Sequence, residues 1–172
     1  FMRIFGSGEY GKYSLLLSQC NLIISIVFGW LNQSQLRYYL IDRSNIDYNN
    51  FQMTALSFCT INSIIILSLL IFIQTSSIQI WAISLFTIIA IGIFNYLKTI
   101  HQVRLVPINI IFMTTGQSIL GIIFPILLFY LGWNRGIFLL FGLGLSFFAV
   151  LIFSIIIDKK NTYFNQISSY KL

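Results

Sequence analysis

Charged residues are scarce in this sequence of 172 residues, where they make up 8% of the total. Soluble domains contain about 25% charged residues. Hydrophobic residues make up 58% of the sequence, and the mean hydropathy is +0.88. A soluble chain of this composition could not cover its surface with polar side chains. The shortage of charge therefore excludes an ordinary soluble domain and places the chain in a lipid bilayer.

Acidic residues, histidine and cysteine are also scarce. The four acidic residues, Glu9, Asp42, Asp47 and Asp158, all lie in predicted loops or at the ends of apolar runs. His101 is the single histidine, and no acidic residue or cysteine follows it at the spacing of metal ligands. No paired carboxylates and no nucleophile with a neighbouring base are visible. We therefore expect a protein that is not an enzyme and that needs no cofactor or metal.

The basic residues outnumber the acidic ones, which gives a net charge of +6 and a pI of about 9.5. On a soluble domain this balance would raise nucleic-acid binding as a function. Here the lysines and arginines are scattered between apolar runs, as is typical of residues that anchor membrane helices. We expect the bilayer to be a partner of this chain and nucleic acid not to be one.

Five continuous apolar runs are long enough to cross a bilayer, which takes about 20 residues in a helix. The predicted spans are residues 13–40, 51–73, 78–97, 106–131 and 136–157. The first is apolar as far as residue 31 and then continues as a more polar helix. The runs are continuous, whereas the strands of a membrane barrel alternate between apolar and polar residues. The links between them are short, so neighbouring helices must pack antiparallel. We predict an all-α integral membrane protein, an antiparallel bundle of five transmembrane helices.

The distribution of lysine and arginine predicts the orientation of these helices. Three of these residues fall on the side of residues 1–12, 74–77 and 132–135, and seven fall on the opposite side. Because positive residues accumulate in the cytoplasm, residues 1–12 form an extracytoplasmic segment and residues 158–172 a cytoplasmic tail or link. The sequence begins with Phe1, and we expect it to be a fragment with a further helix upstream.

Polar residues recur along one face of the first span, within about 80° of arc. We call this face the polar stripe: Ser14, Ser18, Asn21, Ser25, Gly29 and Asn32. Such a face either lines a wet cavity or packs against another helix. Two asparagines favour a cavity, because packing faces contain mostly small residues. The candidates for lining a substrate cavity are Ser18, Asn21, Ser25, Asn32, Asn95 in the third span and Gln117 in the fourth.

Other polar and small residues in the spans have a simpler interpretation. Gly142 and Ser146 in the fifth span form a small-xxx-small pattern, which predicts close helix packing. Ser57, Thr60 and Ser63 in the second span also favour packing. Pro125 is expected to kink the fourth helix or to leave a backbone carbonyl without its partner.

Two cations lie near the predicted cytoplasmic ends of their helices. Arg37 follows the apolar part of the first span, and Lys98 ends the third. Each is either an anchor whose charge reaches the membrane surface or a ligand for an anionic head group. Arg37 lies about 120° from the middle of the polar stripe, so it does not belong to that stripe. Both residues are head-group candidates.

Two segments resemble a known family. Residues 6–17 read Gly-Ser-Gly-Glu-Tyr-Gly-Lys-Tyr-Ser-Leu-Leu-Leu, and residues 29–39 end in Gln-Leu-Arg-Tyr-Tyr. The first is similar to the Gly-x-x-x-Tyr-Gly-x-Tyr segment of the oligosaccharide flippase family. This family contains the Wzx-type exporters of O-antigen and other polysaccharides, and it belongs to the superfamily of the MATE exporters and the peptidoglycan-lipid flippase.

The resemblance implies a fold and a function. The five spans would be the second to sixth helices, most of the first lobe of a two-lobe MATE-like transporter. Such a protein flips a polyprenyl-diphosphate-linked oligosaccharide across the cytoplasmic membrane by alternating access. Its implied partners are that lipid-linked substrate and a coupling ion, H⁺ or Na⁺. Its implied location is the bacterial or archaeal cytoplasmic membrane, as a multi-pass protein that serves the synthesis of surface polysaccharide such as lipopolysaccharide O-antigen.

Two alternatives remain open at this point. A multidrug or small-molecule exporter of the same superfamily would carry an acidic residue within a span, and none is visible. A membrane subunit or enzyme of polysaccharide assembly would need catalytic residues in its loops, and these links are short and bare. The family's central cavity is typically cationic, whereas these spans carry no charge deep in the bilayer.

Overall fold

The apolar runs form helices, as predicted. The computed structural model describes the backbone of residues 6–38, 46–74, 77–133 and 135–169, and the side chains of residues 6–37, 54–68, 77–133 and 135–156. Within these residues the regular structure is all helical. The five helices are α1 (Ser7–Tyr38), α2 (Ile46–Gln74), α3 (Ile78–Val103), α4 (Pro107–Tyr130) and α5 (Gly136–Ser169). Each predicted span corresponds to one of these helices.

Four of the helices, α1, α3, α4 and α5, are long and apolar enough to cross a membrane. The described apolar part of α2, Thr54–Ser68, is shorter than that. Side chains at both ends of the predicted second span, residues 51–53 and 69–73, lie outside the described residues. Length and composition thus indicate a membrane protein.

The helices extend beyond the apolar runs that predict them. The first helix begins at Ser7 rather than at residue 13, and the third ends at Val103 rather than at residue 97. The added turns contain Glu9, Lys12, Lys98 and His101. Hydropathy marks where a helix enters hydrocarbon, but charged residues are compatible with a helical backbone beyond that boundary. Residues 39 and 40 of the predicted first span lie outside the described residues.

The third helix occupies the centre of the bundle, since α3 packs against each of the other four helices. The helices α3 and α5 run parallel. Thr87 donates a hydrogen bond to the carbonyl of Leu140 at 3.3 Å, and seven residues further along both helices Phe94 packs edge-on against Phe147. The helices α4 and α5 run antiparallel, because Gly121 lies near Ser146 whereas Gly116 lies near Val150.

The contact between α1 and α3 forms the main core. Phe28 and Ile88 are fully buried there, together with Leu31 from α1 and Cys59 from α2. A Cβ added to Gly92 would lie 2.6 Å from the ring of Phe28. Because such atoms do not approach so closely, any larger residue at position 92 would force the buried ring of Phe28 or the helices themselves to shift.

Small residues mediate the contacts of α5, which confirms the packing prediction for that helix. A Cβ added to Gly142 would lie 2.9 Å from the backbone nitrogen of Pro125. Ser146 is fully buried, and its hydroxyl donates a hydrogen bond to the carbonyl of Leu143 at 2.6 Å. The helix α4 continues through Pro125 to Tyr130, and the missing N–H of the proline cannot bond the carbonyl of Gly121.

Candidate functional site

The polar stripe on α1 faces away from the described helix neighbours. Ser14, Ser18, Asn21 and Ser25 are exposed, and the last two members, Gly29 and Asn32, are half-buried. The buried residues of the same helix lie on another face, centred about 120° from the stripe. They are Cys20, Ile23, Ile24, Val27, Phe28, Leu31 and Gln35. The exposed part of the polar stripe, from Ser14 to Ser25, therefore does not serve packing among the described helices.

Two serines of the stripe, Ser18 and Ser25, satisfy their hydrogen-bond donors within their own helix. The hydroxyl of Ser18 donates to the carbonyl of Ser14 at 2.9 Å, and that of Ser25 donates to the carbonyl of Asn21 at 2.8 Å. A hydroxyl bonded in this way can face lipid at little cost. Ser18 and Ser25 therefore do not by themselves require a wet environment.

Asn21 is the stronger indication that this face of α1 meets a polar environment. Its side chain is exposed near the middle of the apolar run, and its amide forms no hydrogen bond with any described residue. Asn62 on α2 differs, because its amide donates to the carbonyl of Phe58 at 2.8 Å. Moving an unpaired amide from water into hydrocarbon costs about 4–8 kcal/mol. The side of α1 that carries Asn21 therefore requires water or a polar partner.

Asn32 ends the stripe in a polar region between α1 and α3. Its Oδ1 atom is buried and has no hydrogen-bond partner in the described part of the chain. Cys20 lies beside Ser84, and Phe28 lies beside the position of Gly92, so α1 and α3 run parallel in a fixed register. That register places Asn32 level with Tyr96.

The same register places other buried polar groups at this end of the α1–α3 contact. Gln35 and Thr99 lie at one level, and both are buried. Asn95 is half-buried one turn before Thr99, whose hydroxyl donates to the Asn95 carbonyl at 2.9 Å. Asn32 and Asn95 are thus brought to the same end of one helix contact, where sequence spacing alone placed them on two separate helices.

Gln117 lies elsewhere in the bundle. Its helix α4 packs against α5 and α3, and its Nε2 atom would lie 3.4 Å from a Cβ added to Gly121. Ser146 of α5 flanks the same glycine. Gln117 is therefore grouped with the α4–α5 contact rather than with the stripe of α1. Its role as a cavity residue stays a prediction.

The two head-group candidates lie towards the same end of the bundle. Arg37 is exposed in the last turn of α1, and Lys98 is half-buried near the end of α3. Arg37 forms no ion pair among the described residues. His101, one turn after Lys98, is buried, and its Nδ1 atom lies 3.5 Å from the Nδ2 atom of Asn109.

A feature that sequence reasoning missed lies at the opposite end, where α1, α3 and α5 begin. The Glu9 carboxylate accepts a hydrogen bond from the backbone N–H of Gly136 at 2.7 Å, and its other oxygen lies 2.7 Å from the Lys12 ammonium. Glu9 precedes the apolar run that starts at residue 13, so it lies outside the membrane-spanning part of α1. The Gly136 hydrogen bond and the Lys12 ammonium both lower the pKa of Glu9.

The described residues contain no group of three His, Cys, Asp or Glu side chains that could hold a metal ion. Comparisons of the chain with protein-family models, with curated proteins and with solved structures find no match. The resemblance to the flippase family therefore rests on residues 6–17 and 29–39 alone.

Proposed function

We propose that this chain is part of a membrane transporter that flips a polyprenyl-diphosphate-linked oligosaccharide across the cytoplasmic membrane by alternating access. The observation that carries the proposal is the exposed polar stripe of α1, with the unpaired amide of Asn21 near the middle of the apolar run. A transmembrane helix with a hydrophilic face at that depth is suited to line a path for polar cargo.

The chemistry of the stripe suits a sugar chain. Its side chains are hydroxyls and amides without charge, and amides both donate and accept hydrogen bonds as sugar hydroxyls do. The hydroxyls of Ser18 and Ser25 already donate within their own helix, so they offer acceptor lone pairs, whereas Asn21 offers donors and an acceptor. The diphosphate would need cations, and Arg37 and Lys98 are the ones that we propose for it.

A multidrug exporter is the second candidate function. Cation-coupled export of that kind would require an acidic residue within a span. Among the described residues the only acidic side chain is Glu9, in the first turn of α1, where it already bonds Lys12 and Gly136. This arrangement favours the oligosaccharide substrate. It equally disfavours an assembly enzyme, which would need reactive groups in a cleft.

The proposal is tested by the water accessibility of α1 in membranes. Asn21→Cys should react with a small water-soluble thiol reagent. Ile26→Cys should not react, although Ile26 is 59% exposed little more than one turn further along α1, because it lies about 100° from the middle of the polar stripe. Ile23→Cys is the buried control. The native cysteines, Cys20 and Cys59, are both buried and give little background.

Two outcomes would contradict a hydrophilic path along α1. Equal protection of Asn21→Cys and Ile26→Cys would mean that the stripe faces lipid or another helix. Equal reaction of both would mean that the helix does not cross hydrocarbon at this position.

Transport itself is tested in a flippase-null strain that expresses the full-length protein. Asn21→Leu should abolish the restored surface polysaccharide at matched membrane levels, because the path loses its polar group at mid-depth. Leu22→Val is the control and should restore it. Normal polysaccharide with Asn21→Leu would overturn the role of this residue in transport.

A further inference from the structure

A pocket of about 530 Å³ lies where α1, α3 and α5 begin, at the end of the bundle opposite Arg37. We call it the basic pocket. Its lining combines polar residues with an apolar part. The polar part contains Glu9, Lys12, Ser77, Gln79 and Arg135, and the apolar part contains Leu15, Leu16, Ile80 and Ile137.

The polar part of the basic pocket has an excess of positive charge. Its one carboxylate, Glu9, is already bonded to Lys12 and to the backbone N–H of Gly136. Arg135 is exposed and forms no ion pair or hydrogen bond through its side chain with the described residues. A guanidinium in this state offers two parallel N–H groups to the oxygens of a phosphate.

The start of α3 adds further donors to the same pocket. The side chain of Ser77 forms no capping hydrogen bond, although the residue precedes the helix. Its carbonyl accepts from the N–H groups of Ile80 and Trp81, which leaves the first-turn N–H groups of Ile78 and Gln79 without a backbone partner. The start of α5 is different, because the backbone N–H of Gly136 already donates to the Glu9 carboxylate.

The apolar part of the basic pocket lies nearer to the hydrocarbon core of the membrane than the polar part does. Leu15 and Leu16 belong to the first turn of the apolar run of α1, and Ile80 and Ile137 belong to the first turns of α3 and α5. The pocket therefore spans the boundary between the head groups and the hydrocarbon. A ligand that satisfies both parts has an anionic head and an apolar tail.

We propose that the basic pocket binds an anionic phospholipid, with the phosphate at Arg135 and an acyl chain along Leu15, Ile80 and Ile137. This site does not depend on the proposed transport function, since it lies at the other end of the helices from Arg37 and Lys98. The lipid would join the starts of α1, α3 and α5 at the membrane surface.

The test measures phospholipid binding to the purified full chain in detergent, by native mass spectrometry. Phosphatidylglycerol should bind more tightly than phosphatidylcholine. Arg135→Gln should weaken phosphatidylglycerol binding about fivefold, the effect of one basic residue at a membrane surface. Arg104→Gln is the matched control, an exposed arginine at the other end of the bundle that has no proposed role in binding a head group, and it should leave the binding unchanged.

Ile80→Asn tests the apolar part, and inorganic phosphate tests the head group alone. The substitution should weaken phosphatidylglycerol binding, and inorganic phosphate at the same concentration should not displace the lipid. Unchanged binding by Arg135→Gln, or an equal loss with Arg104→Gln, would overturn the site. Displacement by inorganic phosphate would overturn the lipid as its ligand.

Discussion

The helices α1 and α3 carry polar residues at the same helical spacing, yet the first of these residues along each helix are buried in α3 and exposed in α1. Ser84 and Thr87 of α3 are buried, and Thr87 bonds a carbonyl of α5. Ser18 and Asn21 of α1 are exposed, and neither side chain bonds another helix. Helical spacing thus identifies a polar face, but the neighbours of the helix decide whether that face packs or remains open.

The position of each helix in the bundle explains the difference. The helix α3 packs against all four other helices, so its polar groups meet backbone and side chains on every side. In α1 the buried face is apolar and meets α2 and α3 through Val27 and Phe28. The part of the polar stripe from Ser14 to Ser25 is left on the outer surface, where only water or a further partner can satisfy Asn21.

The largest expected effect concerns the cations near the ends of these two helices. If Arg37 binds a diphosphate head group, Arg37→Gln should lower the affinity for the lipid-linked substrate by about ten- to a hundredfold. Arg37→Lys should also impair binding, because lysine lacks the planar pair of N–H groups. The measurement is surface polysaccharide in a flippase-null strain that carries the full-length protein, at matched membrane levels.

Lys98→Gln extends the same test to α3. Its side chain is half-buried, whereas Arg37 is exposed. A loss with both substitutions would assign both helices to the head group. Full activity of Arg37→Gln would leave this arginine as a membrane-surface anchor and would overturn its binding role.

The next effect concerns the close contact between the two helices. Gly92→Val should destabilise the bundle by about 1–3 kcal/mol, because the new side chain overlaps the buried ring of Phe28. Gly29→Val is the control on the other side of α1, where no atom lies within 4 Å of an added Cβ. Unfolding of the purified chain in mixed micelles, followed by circular dichroism, measures both. Equal stability of the two variants would contradict the α1–α3 register described above.

Much of the fold could be predicted from the sequence, because burial in a bilayer requires continuous apolar runs. Five runs predicted five helices, and the pattern around Gly142 and Ser146 predicted a packing face that the structure confirms. The central position of α3 could not be predicted. It depends on contacts between residues far apart in the chain, such as Gly92 with Phe28 and Thr87 with Leu140.

The candidate site could be predicted only in part. Spacing identified the polar stripe, but it could not show that the hydroxyls of Ser18 and Ser25 bond their own helix while the amide of Asn21 does not. Spacing also could not show that Gln117 lies at the contact between α4 and α5. The basic pocket was missed because its residues come from the starts of three helices, each with too few polar residues to form a pattern.

A smaller effect is expected from the hydrogen bond that α3 makes with α5. Thr87→Val removes the 3.3 Å bond to the carbonyl of Leu140 and should cost about 0.6 kcal/mol, the average for such bonds between membrane helices. Thr60→Val on α2 is the control, because the hydroxyl of Thr60 bonds only Ser57 of its own helix. The same micelle unfolding measures the two variants. An equal loss in both would mean that the contact with α5 contributes nothing beyond the bond within the helix.

The smallest effect is expected on the polar stripe itself. Ser18→Ala removes a hydroxyl that bonds the carbonyl of Ser14, but the backbone N–H of residue 18 still bonds that carbonyl in the helix. No other helix loses a partner, so the free energy of unfolding should change by less than about 0.5 kcal/mol. Micelle unfolding beside Thr87→Val measures the difference between an open polar face and a packed one. A loss as large as that of Thr87→Val would show that the stripe packs against protein, and the argument for an open hydrophilic face on α1 would fail.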